Sequence, residues 1–180
     1  MVHRRLAELL AFVSMITLFM GCTRAISPEM RQQVSPDASF PMVLQNPEAY
    51  VGRTLILGGV IINSLNRPDG TEIVVLETPL DYQEFPRDEE HSRGRFIART
   101  AAYLDPEVYK KGRKITLAGA VIGKETRPLG EIEYTYPVLQ IKELHLWKEV
   151  VRYYPYPTPY WHWYGPYYWW PYYPQYPYWW

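Results

Sequence analysis

Stretches rich in β-branched and apolar residues, separated by turn residues, occupy the middle of the chain. Five such stretches follow one another, and each has the length and composition of a β-strand. Pro68, Asp69 and Gly70 lie between the first two, and turn residues between apolar runs are typical of a hairpin. The pattern predicts an all-β domain with strands at residues 53–63, 71–78, 93–102, 114–124 and 134–147.

Glycines interrupt two of the predicted strands near their middles. Gly58 and Gly59 lie in the first strand, and Gly119 lies in the fourth. A glycine within a strand often marks a bulge or a tight bend, and small closed barrels need such bends at their corners. We therefore expect a small five-stranded, antiparallel, OB-like barrel; an open five-stranded antiparallel sheet is the alternative. Six apolar residues that share one phase should form the core: Leu55, Leu57, Ile61, Ile115, Leu117 and Val121.

Two helix-start signals interrupt the strands. Asn46-Pro47-Glu48 and Asp105-Pro106-Glu107 each combine an N-cap residue, a proline at the first helical position and an acid in the first turn. The second signal predicts a short helix between strands 3 and 4. Pro137, within the fifth run, cannot donate a hydrogen bond to a neighbouring strand, so it should mark a sheet edge or a bulge.

The first 22 residues have the three parts of an export signal. Basic residues come first, residues 9–20 are apolar, and Gly21 precedes Cys22. The apolar run is too short to span a hydrocarbon core comfortably, which takes about 20 residues. The ending Phe19-Met20-Gly21-Cys22 resembles the bacterial lipobox, whose cysteine becomes the lipid-bearing first residue of the mature chain.

This resemblance implies that residues 1–21 are a signal peptide and that Cys22 carries acyl chains such as palmitate. An uncleaved anchor helix and a buried core cysteine are the alternatives. Residues 22–39 are largely polar and contain proline breakers, so we expect a flexible tether between the lipid and the domain. Thr23 stands where an aspartate commonly signals retention in the inner membrane, which makes the outer membrane the expected location.

Charge and cysteine content exclude some classes of protein. Lysine plus arginine equals aspartate plus glutamate, at 19 each, and removing residues 1–21 takes away Arg4, Arg5 and Glu8. The mature chain then has 17 basic and 18 acidic residues, a net charge of about −1, so it has no broad field to attract nucleic acid. A single cysteine cannot form an intramolecular disulfide.

The last 28 residues, 153–180, form a segment of biased composition. They contain 11 Tyr, 6 Trp and 7 Pro and no charged side chain, and the frequent prolines favour an extended chain over a helix or a sheet. The aromatic rings suit a membrane interface, stacking on glycans or peptidoglycan, or packing back over the barrel. The expected organisation is a signal at 1–21, a tether at 22–39, the barrel domain at 40–152 and this tail. Its candidate binding residues are Tyr160, Trp161, Trp163, Trp169, Trp170, Trp179 and Trp180.

No sequence motif points to catalysis. The chain contains no phosphate-binding glycine loop, no nucleophile elbow and no pair of closely spaced cysteines. His91 lies among acids in a loop predicted to be solvated, His145 lies in the last strand, and His162 lies between two tryptophans of the tail. We therefore expect no enzyme, no cofactor and no metal site, and an envelope enzyme with an unrecognised active site is the alternative.

A set of short segments in the middle of the chain is distinctive when taken together: residues 46–47, 50–52, 57–61, 77–81, 94–96, 103–106, Tyr109, 115–119 and 144–150. These segments resemble the Slp family of bacterial outer-membrane lipoproteins, and the resemblance covers roughly residues 38–152, after the lipid signal. It implies a lipid-anchored outer-membrane lipoprotein and brings no catalytic residues. We therefore expect a non-catalytic binding or envelope-structural module, with peptidoglycan, another glycan or an envelope protein as its partner.

Overall fold

The structure of the protein is a computed structural model that describes residues 24–149 and, by itself, Arg5. The chain divides into two units, Met1–Glu149 and Val150–Trp180, and the described residues belong to the first. Within the described part of the chain, no helix is long and apolar enough to cross a membrane.

All five predicted strands are present. Two of them are longer than the apolar pattern indicates, because β1 and β4 continue past the core as arms. In the β1 arm, half-buried and exposed residues alternate, so the sequence there is polar and gives a weaker strand signal. The strands are β1 (Thr54–Arg67), β2 (Gly70–Glu77), β3 (Gly94–Thr100), β4 (Lys114–Leu129) and β5 (Ile132–Leu146).

The five strands form one mixed sheet that closes into a ring in the order β1-β2-β3-β5-β4, with β4 paired again to β1. Four of the five pairings are antiparallel, and β3 pairs with β5 in parallel from Ile97↔Val138 to Arg99↔Gln140. The predicted all-antiparallel arrangement is therefore wrong, and so is the alternative of an open sheet. A ring with an odd number of strands cannot alternate direction throughout, so at least one pair must run parallel.

The core lies inside the ring, and all six predicted core residues belong to it. A short helix before the first strand, Phe40–Gln45, adds Phe40 and Val43 to this core. The Phe40 ring meets the Phe96 ring edge-on at 5.9 Å between centroids. The helix and the strands therefore share one hydrophobic interior.

A register shift lies at the predicted bend at Gly119, whereas the shift in β1 lies at Ile61/Asn63, beyond Gly58 and Gly59. The β4–β5 pairing shifts register at Ala118/Gly119 and again at Val121/Gly123, and this second shift lies next to Pro137. At Gly59 of β1, a Cβ atom would come within 1.9 Å of the Leu76 carbonyl oxygen, so only glycine lets the two strands approach this closely.

The predicted helix between strands 3 and 4 is absent, which corrects that prediction. The Asp105 signal makes one turn, in which the Asp105 carbonyl oxygen accepts from the Val108 and Tyr109 amides at 3.0 and 2.9 Å. Gly112 then adopts a φ of +88° and donates to the Ile61 carbonyl at 2.9 Å, which starts the next strand before a second turn can form. The Asn46 signal yields a 3-10 helix, Pro47–Tyr50.

The segment before the sheet packs onto the domain, which differs from the predicted flexible tether over residues 24–39. The side chain of Ile26 is 1% exposed, and its amide donates to Glu84 Oε2 at 2.8 Å. Ser27 caps the short helix Pro28–Arg31 and donates through Oγ to Glu143 Oε2 at 2.7 Å. One buried apolar side chain and two carboxylate acceptors hold this segment in place, although its polar composition predicts a flexible chain.

Candidate binding cleft

A cleft of about 320 Å³ opens on the outer surface of the ring. It lies beside the turn that joins β1 to β2 and is bounded by β3 and by the arm of β4. The charged and amide side chains that line it are Arg67, Asp69, Glu72, Arg99, Glu125 and Gln140.

Strand alternation places the cleft residues outside the ring. Ile73 and Ala98 point into the core, so their neighbours Glu72 and Arg99 point outward, and the register pairs these two residues directly. The β4 arm carries Glu125 and Arg127 to the same place. Three strands that lie far apart in the sequence thus supply one cluster of side chains.

Glu72 is the centre of an ion network. Its side chain is only 3% exposed, and its two carboxylate oxygens accept from Arg127 Nη1 and Nη2 at 2.7 and 2.9 Å. Arg99 donates from Nε and Nη2 to Glu72 Oε2 at 3.0 and 2.8 Å, and Arg67 adds a longer contact of 3.4 Å. Glu125 bridges the two inner arginines by accepting from both Arg127 and Arg99.

The network fixes the charge state of its members. Burial alone would raise the pKa of Glu72, but hydrogen bonds from Arg127 and Arg99 outweigh it and lower the pKa to about 2. The hydrogen bond from Arg127 also lowers the pKa of Glu125. Hydrogen bonds to Glu72 and Glu125 raise the pKa of Arg127. The cleft is therefore a fixed array of carboxylate acceptors and guanidinium donors at neutral pH.

A small apolar cluster holds the β4–β5 arm over the outer face of β2 and β3. Ile97 is fully buried there beneath Tyr136 and Val138, although it points away from the core of the ring. The Tyr134 and Tyr136 rings pack edge-on at 4.7 Å, and the Tyr134 hydroxyl accepts from the Arg95 amide at 2.9 Å. The position of the cleft wall is thus set by packing as well as by charge.

Two of the histidines singled out in the sequence, His91 and His145, are separate from the cleft, and His162 lies outside the described residues. His91 is exposed and pairs through Nδ1 with Asp88 at 2.6 Å, while His145 packs edge-on against Trp147 at 4.5 Å. Among residues 24–149, no group of three His, Cys, Asp or Glu side chains is placed to hold a metal ion.

The predicted site residues fall outside the described part of the chain. These are the lipid attachment residue Cys22 and the tail residues Tyr160, Trp161, Trp163, Trp169, Trp170, Trp179 and Trp180. The sequence analysis in turn missed the cleft. Glu72, Arg99 and Arg127 lie in three separate strands. The β2–β3 register pairs the first two, and the β4 arm brings Arg127 to them.

Comparisons with known proteins agree on one family. The model of the outer membrane lipoprotein Slp family matches residues 19–179. "Outer membrane protein Slp" of Escherichia coli K12 is 27% identical over 146 residues, which cover 79% of this chain and 77% of that protein. "Uncharacterized lipoprotein YeaY" of the same organism is 28% identical and covers 73% of this chain and 69% of its own length.

A protein of Haemophilus influenzae is 36% identical over 110 residues, 61% of this chain and 59% of that protein. Among solved structures, a mitochondrial single-stranded DNA binding protein of Saccharomyces cerevisiae, Rim1, is 10% identical over 53% of this chain and 94% of that one. Its TM-score of 0.29 is too low to indicate a shared fold. The family model, by contrast, spans the chain from the end of the apolar N-terminal run into the aromatic tail. This chain belongs to the Slp family of outer membrane lipoproteins.

Proposed function

We propose that this envelope lipoprotein is attached to the outer membrane by lipid on Cys22 and that its cleft is a non-catalytic binding site. Family membership and the relative named as an outer membrane protein support the location. The apolar N-terminal run that ends at Gly21-Cys22 supports the mode of attachment.

The strand order supports an OB-like identity for the domain. An OB fold is a five-stranded barrel that binds oligonucleotides or oligosaccharides on the face of strands 2 and 3, beside the loops that join strands 1–2 and 4–5. In this protein the cleft lies on the outer face of β2 and β3, next to the β1–β2 turn and the β4 arm. The cleft therefore occupies the position where such folds hold their ligands.

The charges of the cleft favour an oligosaccharide over a nucleic acid. Three arginines, Arg67, Arg99 and Arg127, face three acids in the cleft and its network, and the formal charges cancel. A polyanion gains little from such a surface, because affinity for nucleic acid comes mainly from unpaired positive charge. Closely spaced donors and acceptors instead match the hydroxyl groups of a neutral glycan strand, such as peptidoglycan.

One observation carries the non-catalytic part of the proposal, namely that both glutamates of the cleft are locked in ion pairs. A general acid must hold a proton near neutral pH, but hydrogen bonds from Arg127 and Arg99 lower the pKa of Glu72 to about 2, against the opposing effect of burial. Glu125 is held by the same two arginines. Neither carboxylate is free to donate or to accept a proton in a reaction.

Arg67 offers a direct test of binding. It is 43% exposed and makes one long contact in the network, so its replacement by alanine should leave the fold intact. We expect Arg67→Ala to weaken the binding of soluble peptidoglycan fragments, measured by titration calorimetry, because it removes free guanidinium donors from the cleft rim. Arg53→Ala is the matched control, since Arg53 is 53% exposed and pairs only with Asp37.

Equal affinities of the two variants, or no binding of fragments by the unchanged protein, would exclude this ligand class for the cleft. Mass spectrometry of the recovered fragments tests the other half of the proposal. A new product that depends on Glu72 would show that the cleft is catalytic.

The anchor is tested by replacing Cys22 with serine and separating the cell envelopes. We expect the variant to lose both the mass of the acyl chains and the flotation with outer membranes. An unchanged mature mass together with unchanged flotation would rule out lipid attachment at Cys22. The proposed glycan or membrane contacts of the aromatic tail are independent of this test.

A further inference from the structure

The described chain begins two residues after the proposed lipid attachment residue. From Ala25 onward, hydrogen bonds fix it to the folded domain. Arg24 follows Cys22 by two residues, and the Ala25 amide donates to the Gln83 carbonyl at 3.3 Å. Ile26 is buried, and its amide donates to Glu84 Oε2 at 2.8 Å. Only two residues, Thr23 and Arg24, separate the proposed lipid attachment residue from Ala25.

The other end of the described chain lies at the same end of the ring. The Thr116 hydroxyl donates to the Glu84 carbonyl at 2.6 Å, and Trp147 Nε1 donates to the Thr116 hydroxyl oxygen at 2.9 Å. The Trp147 amide also donates to the Lys114 carbonyl at 3.0 Å. A continuous series of hydrogen bonds thus links Ile26 to Trp147, at the start of β4 and the end of β5.

Aromatic and basic side chains cover this end of the ring. Tyr82 is 70% exposed, and the Phe85 ring packs edge-on against Trp147 at 4.9 Å. The Arg87 guanidinium and the Lys114 ammonium lie 5.2 and 5.0 Å from the centroid of the Phe85 ring. We call these five residues, Tyr82, Phe85, Arg87, Lys114 and Trp147, the anchor-end surface.

We propose that the anchor-end surface rests on the lipid headgroups of the membrane that holds the protein. The inference depends on the proposed attachment at Cys22. From Cys22 to Ala25 the chain spans at most about 11 Å when fully extended. One headgroup layer is about 5–7 Å thick, so the surface around Ala25 cannot leave the interface by more than a few ångströms.

The chemistry of the anchor-end surface suits that position. Tyrosine and tryptophan rings are enriched at the headgroup level of membranes, where one side is apolar and the other wet. Arginine and lysine are attracted to anionic headgroups. Tyr82 and Trp147 supply the first kind of contact, and Arg87, which is 62% exposed and also pairs with Asp81 at 2.8 Å, supplies the second.

The proposal also predicts where the cleft lies relative to the membrane. Glu125 lies nine residues beyond Thr116 on β4, which corresponds to about 30 Å along the strand. The cleft is therefore displaced from the anchor-end surface toward the far end of the ring and opens on the side of the ring, clear of the bilayer. A ligand can reach it without competing with lipid.

Site-directed fluorescence tests this orientation in the full, lipidated chain. Cys22 is the sole cysteine and is blocked when acylated, so Tyr82→Cys introduces one free thiol for a bimane label. Ile132→Cys is the matched control, because Ile132 is 61% exposed at the start of β5, where it pairs with Leu129 at the opposite end of β4. Lys148→Cys is a second reporter on the anchor side, next to Trp147, in case a label at position 82 disturbs the fold.

The proteins are placed in vesicles of phosphatidylethanolamine and phosphatidylglycerol that contain a lipid with a nitroxide on its headgroup. We expect the labels at positions 82 and 148 to lose most of their fluorescence and the label at 132 to keep it. Equal quenching at all three positions in protein that floats with the vesicles would overturn the orientation and leave lipid attachment intact. Protein that does not float, and whose Cys22 reacts with maleimide, would refute the lipid attachment and the orientation together.

Discussion

Replacement of Glu72 by glutamine removes the charge at the centre of the ion network and keeps the size of the side chain. The carboxylate is 3% exposed and accepts hydrogen bonds from Arg127 and Arg99 at 2.7 to 3.0 Å. Glutamine presents one acceptor oxygen to these donors and brings an amide group that repels them. The partly buried arginines then lose their counter-charge, which is the costly way to break an ion pair.

The expected loss of folding stability can be worked out from the structure. Against the opposing effect of burial, the arginines lower the pKa of Glu72 from 4.5 to about 2, and each unit is equivalent to about 1.4 kcal/mol, which gives about 3 kcal/mol. Solvent screens Arg67 and Arg99, which are 43% and 37% exposed, so we expect about 2 kcal/mol. Because the folded-state pKa is the lower one, this stability is fully present above pH 4.5 and is lost as the pH falls toward 2.

Urea unfolding of the two proteins at a series of pH values measures the difference directly. Glu72→Gln should be about 2 kcal/mol less stable at pH 7, and the gap should close between pH 4.5 and 2. Glu133→Gln is the control, because Glu133 is exposed on β5 and should change stability by less than about 0.5 kcal/mol. A gap that does not vary with pH, or one as small as the control's, would show that the network does not stabilise the fold.

Three further predictions follow from the core, the sheet and the tail. Leu117→Ala should cost about 2–5 kcal/mol in denaturant melts, since Leu117 is fully buried, and a loss under about 0.5 kcal/mol would place it on the surface. Gly59→Ala should lower the thermal midpoint because its Cβ would collide with the Leu76 carbonyl, and an unchanged midpoint would contradict the observed approach of the strands. Deletion of residues 153–180 from protein lacking lipid should leave the thermal midpoint within a few degrees and weaken co-sedimentation with vesicles or peptidoglycan. A collapsed midpoint with unchanged binding would instead assign the tail to the fold.

Local patterns predicted the strands and the core because each depends on neighbouring residues. Leu55 and Leu57 alternate with residues of the opposite face, and the same two-residue period holds at Ile115 and Leu117, so the buried side of both strands can be identified from the sequence. The turn at residues 68–69 was likewise evident from its proline and aspartate. These are properties of short segments, and they need no knowledge of which strands pair.

The cleft and the docked N-terminal segment depend on pairings over long distances in the sequence. Glu72 and Arg127 are 55 residues apart, and Ser27 and Glu143 are 116 residues apart. The sequence alone does not show whether a charged residue in a strand is solvated or lies at the buried centre of an ion network. The Asp105 signal failed for a related reason, because the strand that follows Gly112 is fixed to Ile61 and leaves no room for a helix.

Closure of the sheet has a consequence for proteins held at high density on one membrane. Within the ring every strand is paired on both sides over part of its length, which leaves fewer backbone donors and acceptors to pair with an adjacent molecule. The arms have free edges, because β1 pairs there with β2 alone and β4 with β5 alone. The β4 arm carries Lys124 and Pro128, which are both exposed, and charge and proline both oppose the addition of another strand. Crowded copies can therefore lie side by side without joining their sheets into aggregates.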